Sequence, residues 1–386
     1  MDRQFIIEIP AGQSCFLWGA RKTGKSTFLR RSFPTAYFFD LLKSEVYLRF
    51  LKDPSLLREE VLAQLDLHPT QTIFVVDEVQ KVPILLDEIH WLIENTNASF
   101  ILCGSSAKKL RQKGVNLLGG RAWKFHFFPL IFKEISDFNL LKCLNDGLIP
   151  SHYLSEHAQR FLKAYIEDYL ILEIQAEGLV RNLSAFSKFI EMASYSNAEM
   201  INYAHIARDC GVDAKTVKEY FQILFDTLTA YEVKPYTLKS KRDIISSTSK
   251  FYFFDTGVVN YIAKKKINTL QSLDGGKSFE TYILHELMAY IHYNEQNHAI
   301  YYWRTKTGLE TDFIINDVPL EVKISSTVHR QDLKGILAFM EEKNVEKGYV
   351  ICREDHPRKI EVAKDQALYI LPYQLFLEKL WLNEIF

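Results

Sequence analysis

Short apolar runs alternate with amphipathic stretches over the first 130 residues. The candidate strands are Ser14–Trp18, Ala36–Phe39, Thr72–Asp77, Ser99–Gly104 and Trp123–Phe128. Between them, Glu45–Leu65 and Val82–Glu94 carry apolar residues at helical spacing. Strands alternating with helices predict an α/β layer around a largely parallel sheet. From about Ser155 to Tyr231 the pattern turns helical. From Lys277 it runs helix, strands, helix, strand. The stretch 239–276 reads as a connector, although Phe251–Asp255 (FYFFD) is apolar enough to pack. These shifts predict three domains, residues 1–150, 151–245 and 246–386.

The first expected domain carries a phosphate-binding pattern. Gly19-Ala-Arg-Lys22-Thr23-Gly24-Lys25-Ser26 fits G-x-x-x-x-G-K-[ST], with an apolar strand before it and a helical pattern after it. Glycines let backbone N–H groups wrap phosphate, and the helix N-terminus adds positive potential. Lys25 would reach the β- and γ-phosphates, and Ser26 would hold Mg²⁺. The nucleotide-binding candidates are Gly19, Lys22, Thr23, Gly24, Lys25, Ser26, Thr27 and Asp77. Asp77 and Glu78 end an apolar strand, at the mouth of a parallel sheet where ligands bind. Asp77 would support Mg²⁺ with Ser26, and Glu78 would orient or deprotonate an attacking water. Ser105-Ser106, after the next strand, offers a hydroxyl to sense the γ-phosphate, or ordinary helix capping. Arg121, on the Gly119-Gly120 corner, is a candidate arginine finger in cis or from a neighbouring subunit, or simply an Arg at a turn.

The runs FLWGARKTGKST, FVVDEVQKVP, FILCGSSA and GGRA followed by FPL resemble the prokaryotic AAA-type ATPases with a C-terminal domain of unknown function, a domain that resembles restriction endonucleases. YEVKPY and KFYFFDTG extend the resemblance over nearly the whole chain. It implies ATP binding and hydrolysis with Mg²⁺, with Lys25, Ser26, Asp77 and Glu78 in the roles above. Arg121 matches the family's Gly-Arg position. Departures stand at the residue after Gly19, at Lys22 and at Cys103, none of them expected to carry chemistry.

In the middle region, Asn202–Leu224 reads as two helices across a Gly211 turn, with Ile206, Ala207, Val212, Val217 and Phe221 inward and Asp213 capping the second helix. The next segment fits the strands of a wing, so a winged helix is expected. A DNA-reading helix would expose Lys215, Thr216, Lys218 and Gln222, and the wing flank adds Lys234, Lys239, Lys241, Arg242 and Lys250 against Glu232 and Asp243.

Towards the C-terminus, strand Thr311–Ile315, a turn at Asn316-Asp317 and strand Val318–Ile324 read as a hairpin. Alternation puts Leu320, Val322 and Ile324 on the core face and Glu321 with Lys323 on the other, next to Asp312. Glu280, in the helical run FETYILHELMAYI, offers a third carboxylate, and Glu286 is a weaker substitute. The order Glu280, Asp312, Glu321-Val-Lys323 resembles the PD-(D/E)xK nuclease motif. That resemblance implies a restriction-endonuclease-like α/β domain with a second metal site. The fold class expected overall is α/β: an N-terminal P-loop AAA-type domain, a helical and winged-helix middle, and the nuclease-like domain.

Composition narrows the reading. Hydrophobic residues at 47% and charged residues at 25% exclude wholesale disorder and a collagen-like chain. No apolar run reaches the roughly 18 residues of a membrane span, so no membrane partner is expected. Five cysteines without CxxC spacing fit a reducing cytoplasm. The net charge of -1 sums unlike parts: residues 39–90 hold ten acids against five bases, whereas residues 104–126 hold six bases and no acid. Contact with DNA would therefore be local. ATP or ADP is the expected small partner, and DNA and a homo-oligomer are further candidates. Three readings differ in class: an ATPase coupled to a nuclease-like domain that cleaves or binds DNA, a nucleotide switch whose C-terminal domain only binds a partner, or a DNA-binding regulator that uses the winged helix. Converging carboxylates at Glu280, Asp312 and Glu321 favour the first; a segment plugging that site favours the second.

Overall fold

The computed structural model describes residues 2–10, 12–105, 118–167, 182–237 and 248–386. Ser106, the cations Lys108, Lys109, Arg111 and Lys113, and Lys239, Lys241, Arg242 and Asp243 of the wing flank lie outside the described residues. Contacts divide the chain into two units, Met1–Leu130 with Asp226–Leu228, and Ile131–Phe225 with Thr229–Phe386.

The first unit is a parallel sheet of β1 (Ser14–Trp18), β2 (Tyr37–Asp40), β3 (Ile73–Asp77), β4 (Ser99–Gly104) and β5 (Ala122–His126), in the order β2-β3-β4-β1-β5. Its helices are α1 (Lys25–Ser32), α2 (Ser44–Lys52), α3 (Ser55–Leu67) and α4 (Leu85–Asn95). The continuous stretch expected at Glu45–Leu65 is two helices. Pro54 has no N–H to continue the first one, and Asp53 caps the second through Ser55 N. β1 and β4 are buried throughout, as a central parallel strand requires. The register pairs Trp18 with Gly104 and Asp77 with Cys103. The C-terminal ends of β1, β4 and β3 thus stand side by side, and β4 lies between the strand that feeds the loop and the strand that carries the two acids.

The second unit opens with α5 (Leu140–Asp146), α6 (Pro150–Tyr153), α7 (Ala158–Ala164) and α8 (Leu183–Tyr195). Then come β6 (Glu199–Met200), α9 (Tyr203–Cys210), α10 (Ala214–Asp226), β7 (Ala230–Pro235), β8 (Lys250–Phe253) and α11 (Thr256–Ile262). Gly211, at φ 69, makes the turn between α9 and α10, and Asp213 accepts Thr216 N at 2.8 Å. Ile206, Ala207, Val217 and Phe221 are buried, while Lys215, Lys218 and Gln222 are exposed.

The rest comprises α12 (Leu273–Tyr293), β9 (Ile300–Arg304), β10 (Glu310–Ile315), β11 (Val318–Val322), α13 (Lys334–Lys343), β12 (Lys347–Cys352), β13 (Arg358–Ala363), β14 (Gln366–Pro372) and α14 (Tyr373–Trp381). The expected hairpin is there, with both turn residues, Asn316 and Asp317, at positive φ. Nine strands share one sheet, ordered β13-β14-β12-β11-β10-β9-β7-β8-β6. The segments expected to part near residue 245 are joined in it, because β7 pairs with β8 on one side and with β9 on the other. The FYFFD run packs as expected. Phe251 to Phe254 are buried, and Asp255 caps α11 while also accepting Leu148 N at 2.7 Å. Burial pushes the Asp255 carboxyl up to about 6 against those N–H donors.

Candidate functional site

The loop Gly19–Ser26 leaves β1 and runs straight into α1. Two residues turn left-handed within it, Lys22 at φ 60 and Gly24 at φ 96. Gly19 answers to a close approach: a Cβ there would lie 2.3 Å from the Phe127 carbonyl oxygen. Thr23 is buried and gives its hydroxyl to Ala20 O at 2.9 Å, a bond that shapes the loop. Thr27 and Lys22 are exposed. The Lys25 ammonium, 6% exposed, donates to Gly19 O at 2.7 Å and to Ala20 O at 2.9 Å, so the loop folds around a positive charge. Arg3 braces the loop from outside, donating to Thr23 O at 2.9 Å and Phe128 O at 2.7 Å.

Across the sheet edge, Ser26 Oγ donates to Asp77 Oδ2 at 2.5 Å. Ser26 in the first turn of α1 and Asp77 at the end of β3 are hard oxygen donors of the kind that suit Mg²⁺ beside a phosphate. Glu78 follows at φ 59 and is buried, 7% exposed. It accepts from Gln80 Nε2 at 2.5 Å, and Arg21 approaches it at 3.7 Å. Ser105 comes off β4 beside them and accepts from the same Gln80 nitrogen at 3.1 Å. Gln80 and Arg21 escaped the sequence reading; the only trace was the polar run DEVQK after an apolar strand.

Arg121 stands elsewhere. It precedes Ala122, which pairs with Ser14 at the start of β1, so it lies at the end of the sheet opposite the loop. Strand β5 separates the two by about 16 Å. There Arg121 donates through Nε to Glu94 Oε1 at 2.5 Å. Within this arrangement it cannot reach a phosphate held by its own loop.

Residues 12–136 match the family described as an AAA domain. Residues 143–269 and 275–375 match two families described as domains of unknown function (DUF8612 and DUF4143). An uncharacterized protein of Haemophilus influenzae is 21% identical over 290 residues, covering 66% of this chain and 71% of its own. Among solved structures, similarity is found to a replication initiator DnaA bound to AMPPCP and single-stranded DNA, at a TM-score of 0.27 and 14% identity, covering 56% of this chain and 82% of that one. A signal transduction ATPase with numerous domains from Pyrococcus horikoshii aligns at a TM-score of 0.21 and 11% identity, covering 74% of this chain and 46% of that one.

In the second unit, the four motif residues are placed without forming a metal centre. The ammonium of Lys250, 3% exposed, lies 3.2 Å from Glu280 Oε1, 2.5 Å from Glu310 Oε1 and 3.7 Å from Asp312 Oδ1. Tyr252 OH also donates to Glu280 Oε1, at 2.5 Å. The other Asp312 oxygen accepts Val322 N at 2.8 Å. Glu321 and Lys323 share a face as alternation requires and pair at 2.6 Å. Among the described residues, no group of three His, Cys, Asp or Glu is arranged to hold a metal ion. The residues present therefore do not fit the second metal: a lysine fills the space between the carboxylates. Lys250 was expected on the wing flank facing DNA, but the strand that carries it turns it inward. Burial pushes the Glu280 carboxyl up to about 7, with Lys250 pulling it down and Asp312 adding to the rise. Burial first, then Asp312, raises the Glu321 carboxyl well above the usual range.

Glu286 takes no part in that cluster. It accepts Phe132 N at 2.7 Å and Trp381 Nε1 at 3.1 Å, and burial pushes it up to about 8. All five cysteines are free and buried. No helix among the described residues is long and apolar enough to cross a membrane.

Proposed function

We propose that the chain binds ATP with Mg²⁺ at the Gly19–Ser26 loop and hydrolyses it. The observation that carries this reading is the contact of Ser26 with Asp77, set beside a Lys25 ammonium held by loop carbonyls. Loop N–H groups and Lys25 bind the phosphates, and in doing so Lys25 exchanges its carbonyl partners for phosphate oxygens. Ser26, with Asp77 behind it, would hold Mg²⁺, which would supply neutralisation of phosphate charge. Glu78 accepts a proton from, or orients, the water that attacks the γ-phosphate, and Ser105 donates to a γ-phosphate oxygen. Arg121 acts from a neighbouring copy in this reading, which makes turnover per chain rise with protein concentration. Phosphate release measured at two protein concentrations, with and without Mg²⁺, tests it.

A second reading concerns the C-terminal part, and the Lys250 position favours it. The carboxylates of Glu280, Glu310 and Asp312 converge on the chain's own Lys250 ammonium rather than on an open metal position, so this nuclease-like module is non-catalytic and serves the ATPase as a partner-binding element. The helix-turn-helix of α9 and α10, read as part of a winged helix, offers Lys215, Lys218 and Gln222 to DNA, a contact that a salt titration of duplex binding tests. For the carboxylate cluster, Mn²⁺ binding is followed in the Asp77→Asn chain, which lacks the loop's own carboxylate. No Mn²⁺ binding and uncut supercoiled DNA are expected. Mn²⁺-dependent nicking that disappears in Asp312→Asn would overturn the reading.

A further inference from the structure

Gln80 is a buried polar residue that the mechanism above leaves without a role. It lies two positions after Glu78, is 2% exposed, and donates to Glu78 Oε2 and Ser105 Oγ from one nitrogen. A primary amide carries two N–H groups, and both are spent here. The orientation of the amide is dictated by charge, since its carbonyl oxygen would be repelled by the Glu78 carboxylate. Its Oε1 is buried and has no hydrogen-bond partner among the described residues. Room for it comes from Gly104, where a Cβ would lie 2.4 Å from Oε1 and 2.8 Å from Trp18 Cζ3. Any side chain at position 104 would push the amide away.

We propose that Gln80 is a positioning residue that couples the γ-phosphate sensor Ser105 to the hydrolytic acid Glu78. This rests on the ATP-hydrolysis reading above. The Ser105 oxygen accepts from Gln80, so its single proton is left to be donated to a phosphate oxygen. Glu78 accepts through Oε2, which leaves its other oxygen for the attacking water. One amide thus sets the direction of the hydroxyl and of the carboxylate together. When Ser105 swings to meet a γ-phosphate, the amide moves with it, and Glu78 is carried into line.

The test compares phosphate release and binding of a fluorescent N-methylanthraniloyl ATP in the native chain, Gln80→Ala, Ser105→Ala and the double variant. Gln80→Ala is expected to hold the analogue within about threefold of the native affinity and to lose about 10²-fold in kcat, the scale of a misplaced reacting group. The double variant is expected to lose little more than the worse single one, because both remove the same link. Native kcat in Gln80→Ala, or fully additive losses, would overturn the proposal. Gln80→Glu adds a readout that packing alone does not move. Its carboxylate repels Glu78 when ionised and donates when protonated, so kcat should recover as pH is lowered; a flat profile counts against the coupling. A native chain that fails to bind the analogue removes the ATP reading itself, and the proposal with it. That result differs from one in which the native chain turns over and Gln80→Ala matches it.

Discussion

Ser26 Oγ donates to Asp77 Oδ2 across 2.5 Å, between residues 51 positions apart in the chain. The contact exists because α1 begins where β1 ends and Asp77 closes β3 at the same edge of the sheet. A one-residue slip of β3 would turn Asp77 to the other face of the sheet. The register of Asp77 with Cys103 on β4 therefore matters as much as the acid itself.

Lys25→Ala removes the buried ammonium of the loop. Nucleotide affinity should fall by more than about 100-fold, since a buried charge-assisted contact to phosphate contributes roughly 3 kcal/mol. Calorimetric titration with ATP checks this, and folding should be retained because Lys25 does not stand at the N-cap position of α1, which Gly24 holds.

The sequence showed most of the loop site. Gly19, Lys25, Ser26, Asp77 and Glu78 sit in short segments whose chemistry depends on local spacing, and the alternation of strands and helices placed them at one sheet edge. For Arg121 the choice between cis and a neighbouring subunit stayed open, because only the parallel pairing of β5 with β1 sets its end of the strand opposite the loop. Gln80 was missed because its partners meet only through the pairing of β3 with β4. In the C-terminal part, alternation correctly put Glu321 with Lys323. Spacing alone could not show that Lys250, from a strand 30 residues before Glu280, turns into the same cluster. A lone cation opening the buried run KFYFF was the one trace of it.

Lys250→Met should destabilise the second unit by about 3–5 kcal/mol, the scale for one partner lost from a buried ion pair. Glu280 and Asp312 would then face each other with no ammonium between them, while Glu310 would keep Arg304 as its partner. Urea unfolding followed by tryptophan fluorescence gives the number, and a double variant with Glu280→Gln should regain part of the loss.

Glu286 makes stability depend on pH. Its carboxyl titrates near 4.5 when exposed and at about 8 in the fold, because burial disfavours the charge. Between those values the folded chain keeps a proton that the unfolded chain has lost, so unfolding releases it. Stability then falls as pH rises through that window, by up to about 1.4 kcal/mol per pH unit. Urea midpoints should drop steadily from about pH 5 to about pH 8, and Glu286→Gln, neutral throughout, should flatten that part of the slope.

The central claim is hydrolysis of ATP with Glu78 as the acid that handles the water. Phosphate release and nucleotide binding by Glu78→Gln, measured side by side with the native chain, test it most directly. The account predicts unchanged ATP affinity with turnover lowered by about 10²- to 10³-fold, the usual range for loss of a catalytic base. A Glu78→Gln chain that hydrolyses ATP at the native rate would contradict it.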